Sequence, residues 1–405
     1  MASSSTASKP SVGILSIGDM GMGIGRLLRH HDYAVYTVAT GRRQAPPLSY
    51  SHTLDRIKVA QITALASDEE LVAEVDILLS IVPPRDAVAT ARRALEACHS
   101  APAIKRRGES KGTAAPSLIY IDLNAISPRT ARSIASLFTS PTTTSTASPS
   151  SPTSQLSIAR SFSFHRTESE VEPQQPPISI NFLDGGIIGG PPSLREDKSW
   201  KRPSIVISGP EIAELLDASL RELLNVKIVG DAIGPASALK SCFAALSKGT
   251  IALSILSFTT AHSCGVLPAL KEHLAEFYPA ILAFARAGLT SMPPKAYRWV
   301  DEMRQINETF SLEGVFSPDV LGDDGGNHHH HDGASQSASQ VFEGVAEIYK
   351  LIADDTVLGE ERTEKRKRGT NVEDVVECVR EGIARKKKKG EGEGNLDATW
   401  RGSWA

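Results

Sequence analysis

Cysteine is scarce in this chain of 405 residues, which contains four cysteines and no CxxC pair. Cysteines that lie this far apart exclude a zinc ribbon and a disulfide framework, and they favour reduced thiols inside a cell. Charge of one sign is not in excess either, because 44 Lys and Arg face 47 Asp and Glu. The formal charge of -3 gives no net positive field that would attract nucleic acid or an anionic membrane.

Uninterrupted apolar runs of membrane-spanning length are also missing. The longest weakly charged run, residues 249–270, contains several Ser and Thr residues together with His262 and Pro268, so we interpret it as a buried helix. The N-terminal stretch MASSSTASKPS has no apolar core of the kind that a secretion signal requires. We therefore expect a cytoplasmic protein that does not contact a membrane.

The first half of the chain alternates apolar, strand-like runs with helix-like runs, as in VGILSIG, GIGRLLRHH, AVYTVA and DILLSIVPP. This alternation predicts an α/β Rossmann-type domain with a parallel sheet over residues 11–229. Two segments of low complexity interrupt the pattern, at about 101–116 and 140–177. Their Ser, Thr and Pro content predicts disordered surface insertions, because such segments bury too little apolar surface to offset the entropy of ordering.

The second half of the chain has no strand pattern. Helical periodicity from Pro235 onward predicts an all-α domain over residues 230–357 that begins with one long helix rich in small residues. The tail, residues 358–405, is charged throughout and is predicted to be largely disordered. The histidine tract 328–331 lies in a Gly/Asp-rich segment, so we interpret it as a solvated loop and expect no metal site.

A glycine-rich turn joins the first strand to the first helix. Gly18 and Gly21 have the spacing of the last two glycines in a dinucleotide-binding turn, whereas Ser16 occupies the place of the first. Glycine there allows a tight reversal and a close approach of the backbone to a pyrophosphate. We predict that Gly18, Asp19, Met20 and Gly21 bind the dinucleotide; the alternative is a turn with a structural role only.

The segment after the second strand lacks the carboxylate that holds the ribose hydroxyls in NAD sites. It contains Thr40, Arg42 and Arg43 instead, which offer a hydroxyl group and two permanent cations. These groups suit a ribose 2'-phosphate, so the sequence predicts NADP(H) as the cofactor. Two solvated loop arginines are the alternative interpretation.

Five segments together are similar to a known family. They are VGILSIGDMGMGIGRLL, DILLSIVPP, YIDLNAISPRTA, FLDGGIIGGPP and GPASALKSCFAALSKG. They resemble motifs of the β-hydroxyacid dehydrogenases, the superfamily that contains 6-phosphogluconate and 3-hydroxyisobutyrate dehydrogenases. The nearest resemblance is to a subgroup that joins an NADP-binding domain to a phosphogluconate dehydrogenase-like C-terminal domain, and it covers about residues 11–355 apart from the insertions.

The resemblance implies roles for residues at two strand ends. Ile81, Val82 and Pro83 match the segment that lines the nicotinamide in the family, although core packing explains these apolar residues nearly as well. Asn124 ends another strand, at the sheet edge where ligands bind in open α/β folds. We predict that it binds the cofactor; an ordinary turn role is the alternative.

The family lysine falls on Lys240. No acidic residue lies between Asp231 and Glu272, so we expect Lys240 to be desolvated in an Ala/Ser/Leu-rich helix, with its pKa lowered toward the range useful for proton transfer. The resemblance implies that Lys240 exchanges the substrate hydroxyl proton. A lysine whose ammonium group extends from the helix to water is the alternative.

Two family residues are replaced in this chain. The motif asparagine four residues after the lysine is Ala244, and the serine of the substrate segment is Ile188, although Gly189 and Gly190 remain. Ser247 and Lys248, farther along the same helix, are candidates for supplying the missing contacts. We therefore predict that Gly189, Gly190, Ser247 and Lys248 bind the substrate.

These observations predict an NADP-dependent oxidoreductase that acts on a small hydroxy acid or related carbonyl compound, with Lys240 as general acid and base. The resemblance also implies a homodimer. One alternative is an imine or carbonyl reductase of the same architecture. The other is a regulatory protein that binds NADP without catalysis, which the replaced residues Ser16, Ile188 and Ala244 favour.

Overall fold

The computed structural model describes residues 9–39, 47–112, 115–139, 176–316, 320, 340–363 and 365–392. The predicted insertion at 140–177 lies almost wholly outside the described residues, as do the histidine tract and the last residues of the tail. The described chain forms a Rossmann-type domain followed by a helical domain, so the predicted fold class is confirmed.

An eight-stranded sheet forms the centre of the N-terminal domain, with the order β10-β9-β6-β5-β4-β1-β2-β3. All neighbouring strands are parallel except β6 and β9. The strands that contribute to it are β1 (Val12–Leu15), β2 (Val35–Val38), β3 (Thr63–Leu65), β4 (Ile77–Ser80), β5 (Leu118–Asp122), β6 (Ile180–Ile188), β9 (Ser204–Ser208) and β10 (Val226–Gly230). A separate hairpin pairs β7 (Ser193–Leu194) with β8 (Trp200–Lys201). Strands β1 to β6 follow the usual order of a dinucleotide-binding sheet, with the order reversing between β1 and β4.

Helices cover both faces of this sheet. They are α1 (Asp19–His30), α2 (Pro47–Val59), α3 (Asp68–Glu74), α4 (Ala87–Cys98), α5 (Ala101–Lys111), α6 (Pro128–Thr139), α7 (Ile212–Leu215) and α8 (Ala218–Leu223). Two apolar clusters form the core, one on each face of the sheet. Fully buried strands such as VGIL and ILLS are typical of sheets that are covered on both sides.

The helical domain is built around one long helix. It contains α9 (Pro235–Ser263), α10 (Leu267–Phe277), α11 (Pro279–Ser291), α12 (Ala296–Leu312), α13 (Gln340–Asp355) and α14 (Val372–Gly392). The predicted long helix at the start of this domain is present as α9, which packs against the other helices around a third apolar cluster. A membrane span is possible for α9 by length and composition alone, but 39% of its apolar window is buried within the domain.

The prediction of a disordered insertion at about 101–116 was wrong for residues 101–111, which form α5. Ser100 caps this helix, and Arg107 is 3% exposed and donates hydrogen bonds to the carbonyl oxygens of Val72, Val75 and Pro116. Arg106, on the same helix, pairs with two glutamates of α3, and Lys111 pairs with Asp76, directly before β4. The segment has little apolar surface to bury. Hydrogen bonds from the buried Arg107 to the free carbonyl groups at the end of α3 hold it against the domain instead.

The prediction of a largely disordered tail from residue 358 was wrong as far as residue 392. Leu358 is fully buried, and α14 places one apolar face in the helical core. The buried residues on that face are Val372, Val375, Val376, Cys378 and Val379. Their helical spacing outweighs the charge of the opposite face, so the helical domain extends well beyond residue 357.

Candidate active site

The turn between β1 and α1 has the tight geometry expected of a dinucleotide site. Ser16 has a φ of 76°, in the left-handed region that favours the glycine it replaces. A Cβ on Gly21 would lie 2.4 Å from the carbonyl oxygen of Ser16, so only glycine fits at this position. Beside it, Gly18 precedes α1, and a Cβ built there would meet no atom within 4 Å.

The space beside Gly18, at the N-terminus of α1, is therefore open. Asp19 forms an ion pair with Arg56 at 2.6 Å, and Met20 packs against the core of the sheet, so neither side chain blocks the helix end. Free N–H groups at a helix N-terminus bind phosphate. These residues fit the pyrophosphate of a dinucleotide.

A cleft of about 250 Å³ lies at the carboxyl ends of β1, β2 and β4, where the strand order reverses. Its walls include Ser16, Ile17, Val82 and Pro83, together with Ala39 after β2. The structure thus brings the glycine turn and two of the predicted nicotinamide-lining residues to one cleft. Ile81 packs against the core beneath it.

The predicted NADP-selective residues Thr40, Arg42 and Arg43 lie outside the described residues. Ala39, the last described residue before them, forms part of the cleft wall. Their assignment stays a prediction from the sequence.

Asn124 has a structural role that the sequence did not show. Its side-chain amide donates to Ser80 Oγ and to Asp122 Oδ2, both at 2.9 Å, and its Oδ1 accepts a hydrogen bond from the Val82 amide at 2.6 Å. Both amide hydrogens are therefore used within the protein, and a ligand can reach only the remaining lone pair of Oδ1. Asn124 joins the ends of β4 and β5 and so shapes one wall of the cleft.

Asp184, in β6, is a buried residue that sequence reasoning missed. One carboxylate oxygen accepts hydrogen bonds from Ser208 Oγ and the amides of Gly234 and Ser237, each at 3.0 Å, and the other accepts one from Ser237 Oγ at 2.5 Å. These bonds attach the N-terminus of α9 to the sheet. Burial raises the pKa of Asp184, although the four donors oppose this effect. An acid directly before two glycines within a strand-like run was the available signal.

Lys240 lies where α9 crosses the carboxyl end of β6. Its Nζ donates a hydrogen bond to the carbonyl oxygen of Ile187 at 2.7 Å. A Cβ on Gly186 would lie 2.9 Å from Lys240 Cβ, so the glycine permits this close approach of helix and strand. The lysine side chain is 13% exposed, and burial lowers its pKa from 10.5 to about 8.

Glu302, on α12, is the second residue that sequence reasoning missed. Its side chain is 9% exposed, and its Oε1 lies 2.7 Å from Lys248 Nζ and 3.9 Å from Lys240 Nζ. Burial opposes ionisation of Glu302, but the two lysines outweigh burial and lower its pKa. The sequence carried little signal for it, because Glu302 is 62 residues from Lys240 in a helix that also contains the acids Asp301 and Glu308.

The predicted substrate residues do not all point to one place. Lys248 is held by Glu302 and lies 5.2 Å above the Trp299 ring, so its ammonium group is already paired. Ser247 donates to the carbonyl of Ala244, one turn earlier, as serines within helices often do. Gly189 and Gly190 are exposed beyond the end of β6. Their roles in substrate binding remain predictions.

Ala244, at the position of the family asparagine, is not accessible from the site. Ala244 is 1% exposed and packs within the core of the helical domain. Ile188 is half-buried at the end of β6. Neither residue can offer a side-chain hydrogen bond, so a substrate must be held by other groups.

The candidate site has two parts, the cleft of about 250 Å³ beside the glycine turn and the buried Lys240 at the end of β6, and this lysine can exchange a proton near neutral pH. A carboxylate, Glu302, offsets part of its charge. Within the described ranges no three His, Cys, Asp or Glu side chains lie close enough together to bind a metal ion.

In a comparison with known proteins, residues 261–352 match a family model described as a domain of unknown function, DUF1932. No curated protein matches the chain. The 3-hydroxyisobutyrate dehydrogenase of Mycobacterium tuberculosis, solved with L-serine, is 14% identical over 92% of this chain and 99% of its own, with a TM-score of 0.51.

Two further structures are more distant in shape. A 3-hydroxyisobutyrate dehydrogenase from Salmonella typhimurium is 17% identical over 76% of this chain and 88% of its own, with a TM-score of 0.48. A reductive aminase from Aspergillus terreus, in complex with NADPH and ethyl-5-oxohexanoate, is 15% identical over 92% and 99%, with a TM-score of 0.40. The mycobacterial structure and the order of the strands confirm the fold, a Rossmann-type domain followed by a helical domain.

The glycine turn can be tested by two substitutions that differ only in the space around the new methyl group. Gly21→Ala places Cβ against the Ser16 carbonyl, so we expect it to destabilise the protein by about 1–3 kcal/mol and to abolish dinucleotide binding. Gly18→Ala enters open space, so we expect normal stability and weaker binding. Thermal unfolding and a fluorescence titration with NADPH measure the two effects.

Gly108→Ala is the matched control, because a Cβ there also meets no atom within 4 Å and α5 is distant from the cleft. We expect this variant to bind NADPH normally. Unchanged NADPH binding in both Gly18→Ala and Gly21→Ala would contradict the assignment of this turn to the cofactor.

Proposed function

We propose that the chain is an NADP-dependent oxidoreductase in which Lys240 transfers the proton to or from the substrate oxygen. The observation that supports this most strongly is the position of Lys240: buried, at the carboxyl end of β6, with its ammonium group on the Ile187 carbonyl and close to Glu302. A lysine with a pKa of about 8 is present in both protonation states near neutral pH.

In this proposal the cofactor-binding residues and Lys240 have separate roles. Gly18 and Gly21 open the first turn of α1 to the cofactor phosphates, and Val82 and Pro83 form an apolar wall of the cleft. When bound, the nicotinamide supplies or accepts the hydride. Lys240 donates a proton to the substrate oxygen as a carbonyl is reduced, and its neutral amine accepts that proton when the alcohol is oxidised.

A small hydroxy acid or the matching carbonyl compound is the substrate that we propose. An imine is the second candidate, and the specific observation in its favour is that Ile188 and Ala244 supply no side-chain hydrogen bond to a carboxylate or hydroxyl. Oxidation of NADPH by panels of keto acids and of cyclic imines distinguishes the two. Tight NADPH binding without turnover of either panel would instead indicate a regulatory protein.

The pH dependence of turnover tests Lys240 and its electrostatic partners. Reduction needs the protonated lysine, so we expect its rate to fall as the pH rises above about 8, whereas oxidation needs the neutral amine and should rise through the same range. Lys240→Met should lower turnover by roughly 10²–10⁴-fold in both directions while NADPH binding is retained.

Two charge variants should move this pH profile in opposite directions. Glu302→Gln removes a negative charge that favours the ammonium form, so the fall in the reductive rate should shift to lower pH. Lys248→Met removes a repelling positive charge and frees Glu302, so the same fall should shift to higher pH. If both variants kept the pH profile of the wild-type protein, with unchanged unfolding temperature and NADPH affinity, Lys240 would not be the residue that transfers the proton.

We propose NADP(H) over NAD(H) from Thr40, Arg42 and Arg43, which follow the second strand where NAD-binding sequences have an acid. In a titration followed by nicotinamide fluorescence, Arg42→Ala/Arg43→Ala should weaken NADPH binding by at least about tenfold and leave NADH binding unchanged. Arg92→Ala, at an exposed position on α4, is the control. Equal affinity of the wild-type protein for both cofactors would contradict this proposal.

We also propose a cytoplasmic homodimer that pairs through α9. Leu239, Phe243, Leu246 and Leu253 lie on one stripe of this helix, and all four are 41% exposed or more. A continuous apolar stripe of this kind is typical of a protein interface. By sedimentation, Leu246→Glu should shift the protein toward a monomer, whereas Leu194→Glu, at another exposed leucine on β7, should not. A monomeric wild-type protein would contradict the proposal.

A further inference from the structure

Helix α12 lies across the carboxyl edge of the sheet. Its Asp301 is 3.8 Å from Arg85, in the turn that follows the cleft residues Val82 and Pro83. Farther along the helix, Gln305 accepts a hydrogen bond from the Ser127 amide at 2.8 Å, beside the start of α6. The N-terminal half of α12 therefore lies over the strand ends where we place the cofactor and Lys240.

Two charged residues of α12, Arg298 and Glu302, share one face with Lys295, which directly precedes the helix. Glu302 is four residues after Arg298, which is three residues after Lys295, and these spacings place them one above another. The position of Glu302 sets the direction of the face, because its carboxylate meets Lys240 and Lys248. Arg298 and Lys295 thus lie on the site-facing side of the helix, one and two turns before Glu302.

The positive charge on this face is not balanced. Lys240 and Lys248 lie 3.9 and 2.7 Å from the Glu302 carboxylate, and Arg298 and Lys295 add two positive charges one and two turns before it. The other acids nearby are already paired, since Asp19 is bound by Arg56 and Asp301 lies between Arg85 and Arg304. Lys295 and Arg298 are half-buried, and neither has a hydrogen bond or ion pair to any residue that the structure describes.

The electrostatic effects of these charges agree with this placement of Arg298 and Lys295. Burial lowers the pKa of Lys240, and the charges of Lys248 and Arg298 lower it further. Burial likewise lowers the pKa of Lys295, with Arg298 lowering it further and Asp19, in the first turn of α1, opposing the change. Arg298 therefore acts on the lysine at each end of this stretch.

We propose that Arg298, assisted by Lys295, binds an anionic group of the substrate, a carboxylate or a phosphate, beside Lys240. This inference rests on the proposed function and specifies its substrate class. The planar guanidinium of arginine can hold two oxygen atoms of such a group at once. It would supply the contact that Ile188 and Ala244 cannot make, and it favours hydroxy acids over uncharged imines.

Binding of two small anions tests the proposal without turnover. Malonate and inorganic phosphate are titrated calorimetrically into the full-length protein, with and without saturating NADP⁺. We expect at least one of them to bind in both conditions, and Arg298→Met to weaken that binding by about 10- to 100-fold. Lys295→Met should weaken it less, and it provides a second variant if Arg298→Met unfolds at a lower temperature.

Arg304→Met is the matched control. Arg304 is on the same helix but about 240° round from Arg298, where it pairs with Glu343 and Glu347. This variant loses the same charge and should bind the anion as the wild-type protein does. Unfolding temperatures of all variants show whether the fold is intact.

The outcomes separate this inference from the proposed function. Anion binding that NADP⁺ abolishes would assign Arg298 to the cofactor phosphates and would overturn the inference. Absence of anion binding, or binding that Arg298→Met leaves unchanged, would also overturn it. If the protein reduced neutral carbonyl compounds but not acids, the proposed oxidoreductase function would stand and the inference would be overturned. If Arg298 bound anions in a protein without turnover, the anion site would stand and the proposed function would be contradicted.

Discussion

The attachment of α9 to the sheet by Asp184 is the constraint on which the rest of the site depends. Two backbone amides at the start of α9 and two serine hydroxyls donate to this one buried carboxylate. A buried acid without donors would be strongly unfavourable, whereas here every hydrogen bond also fixes the helix. Lys240 follows Ser237 by three residues and is therefore held at one height above the end of β6.

The electrostatics of the site follow from this placement. α9 brings Lys240 and Lys248 two turns apart along one helix, and α12 places Glu302 beside both. The carboxylate is nearer to Lys248, so Lys240 is left with a hydrogen bond to a backbone carbonyl and a more distant counter-charge. Burial and the charge of Lys248 lower the pKa of Lys240, the more distant Glu302 offsets only part of this effect, and the resulting pKa of about 8 suits proton transfer.

Local patterns predicted the sheet, the glycine turn and α9 because each depends on residues close together in the sequence. The two errors have a common physical cause. The composition of α5 is that of a solvated segment, and its order depends on the hydrogen bonds that Arg107 donates to free carbonyl groups of α3. The charge of the tail likewise hides the apolar face of α14, whose core partners come from helices more than a hundred residues earlier, such as α9.

The sequence by itself determined the strand–turn–helix unit, the need for glycine at position 21 and a lysine far in sequence from any acid, since all three are local properties. Only the tertiary structure decided that Glu302 approaches Lys240 and that Asn124 bonds to the ends of β4 and β5. Those contacts join elements that are distant in the chain. Their geometry depends on how α9 and α12 cross the edge of the sheet, and no spacing in the sequence encodes that crossing.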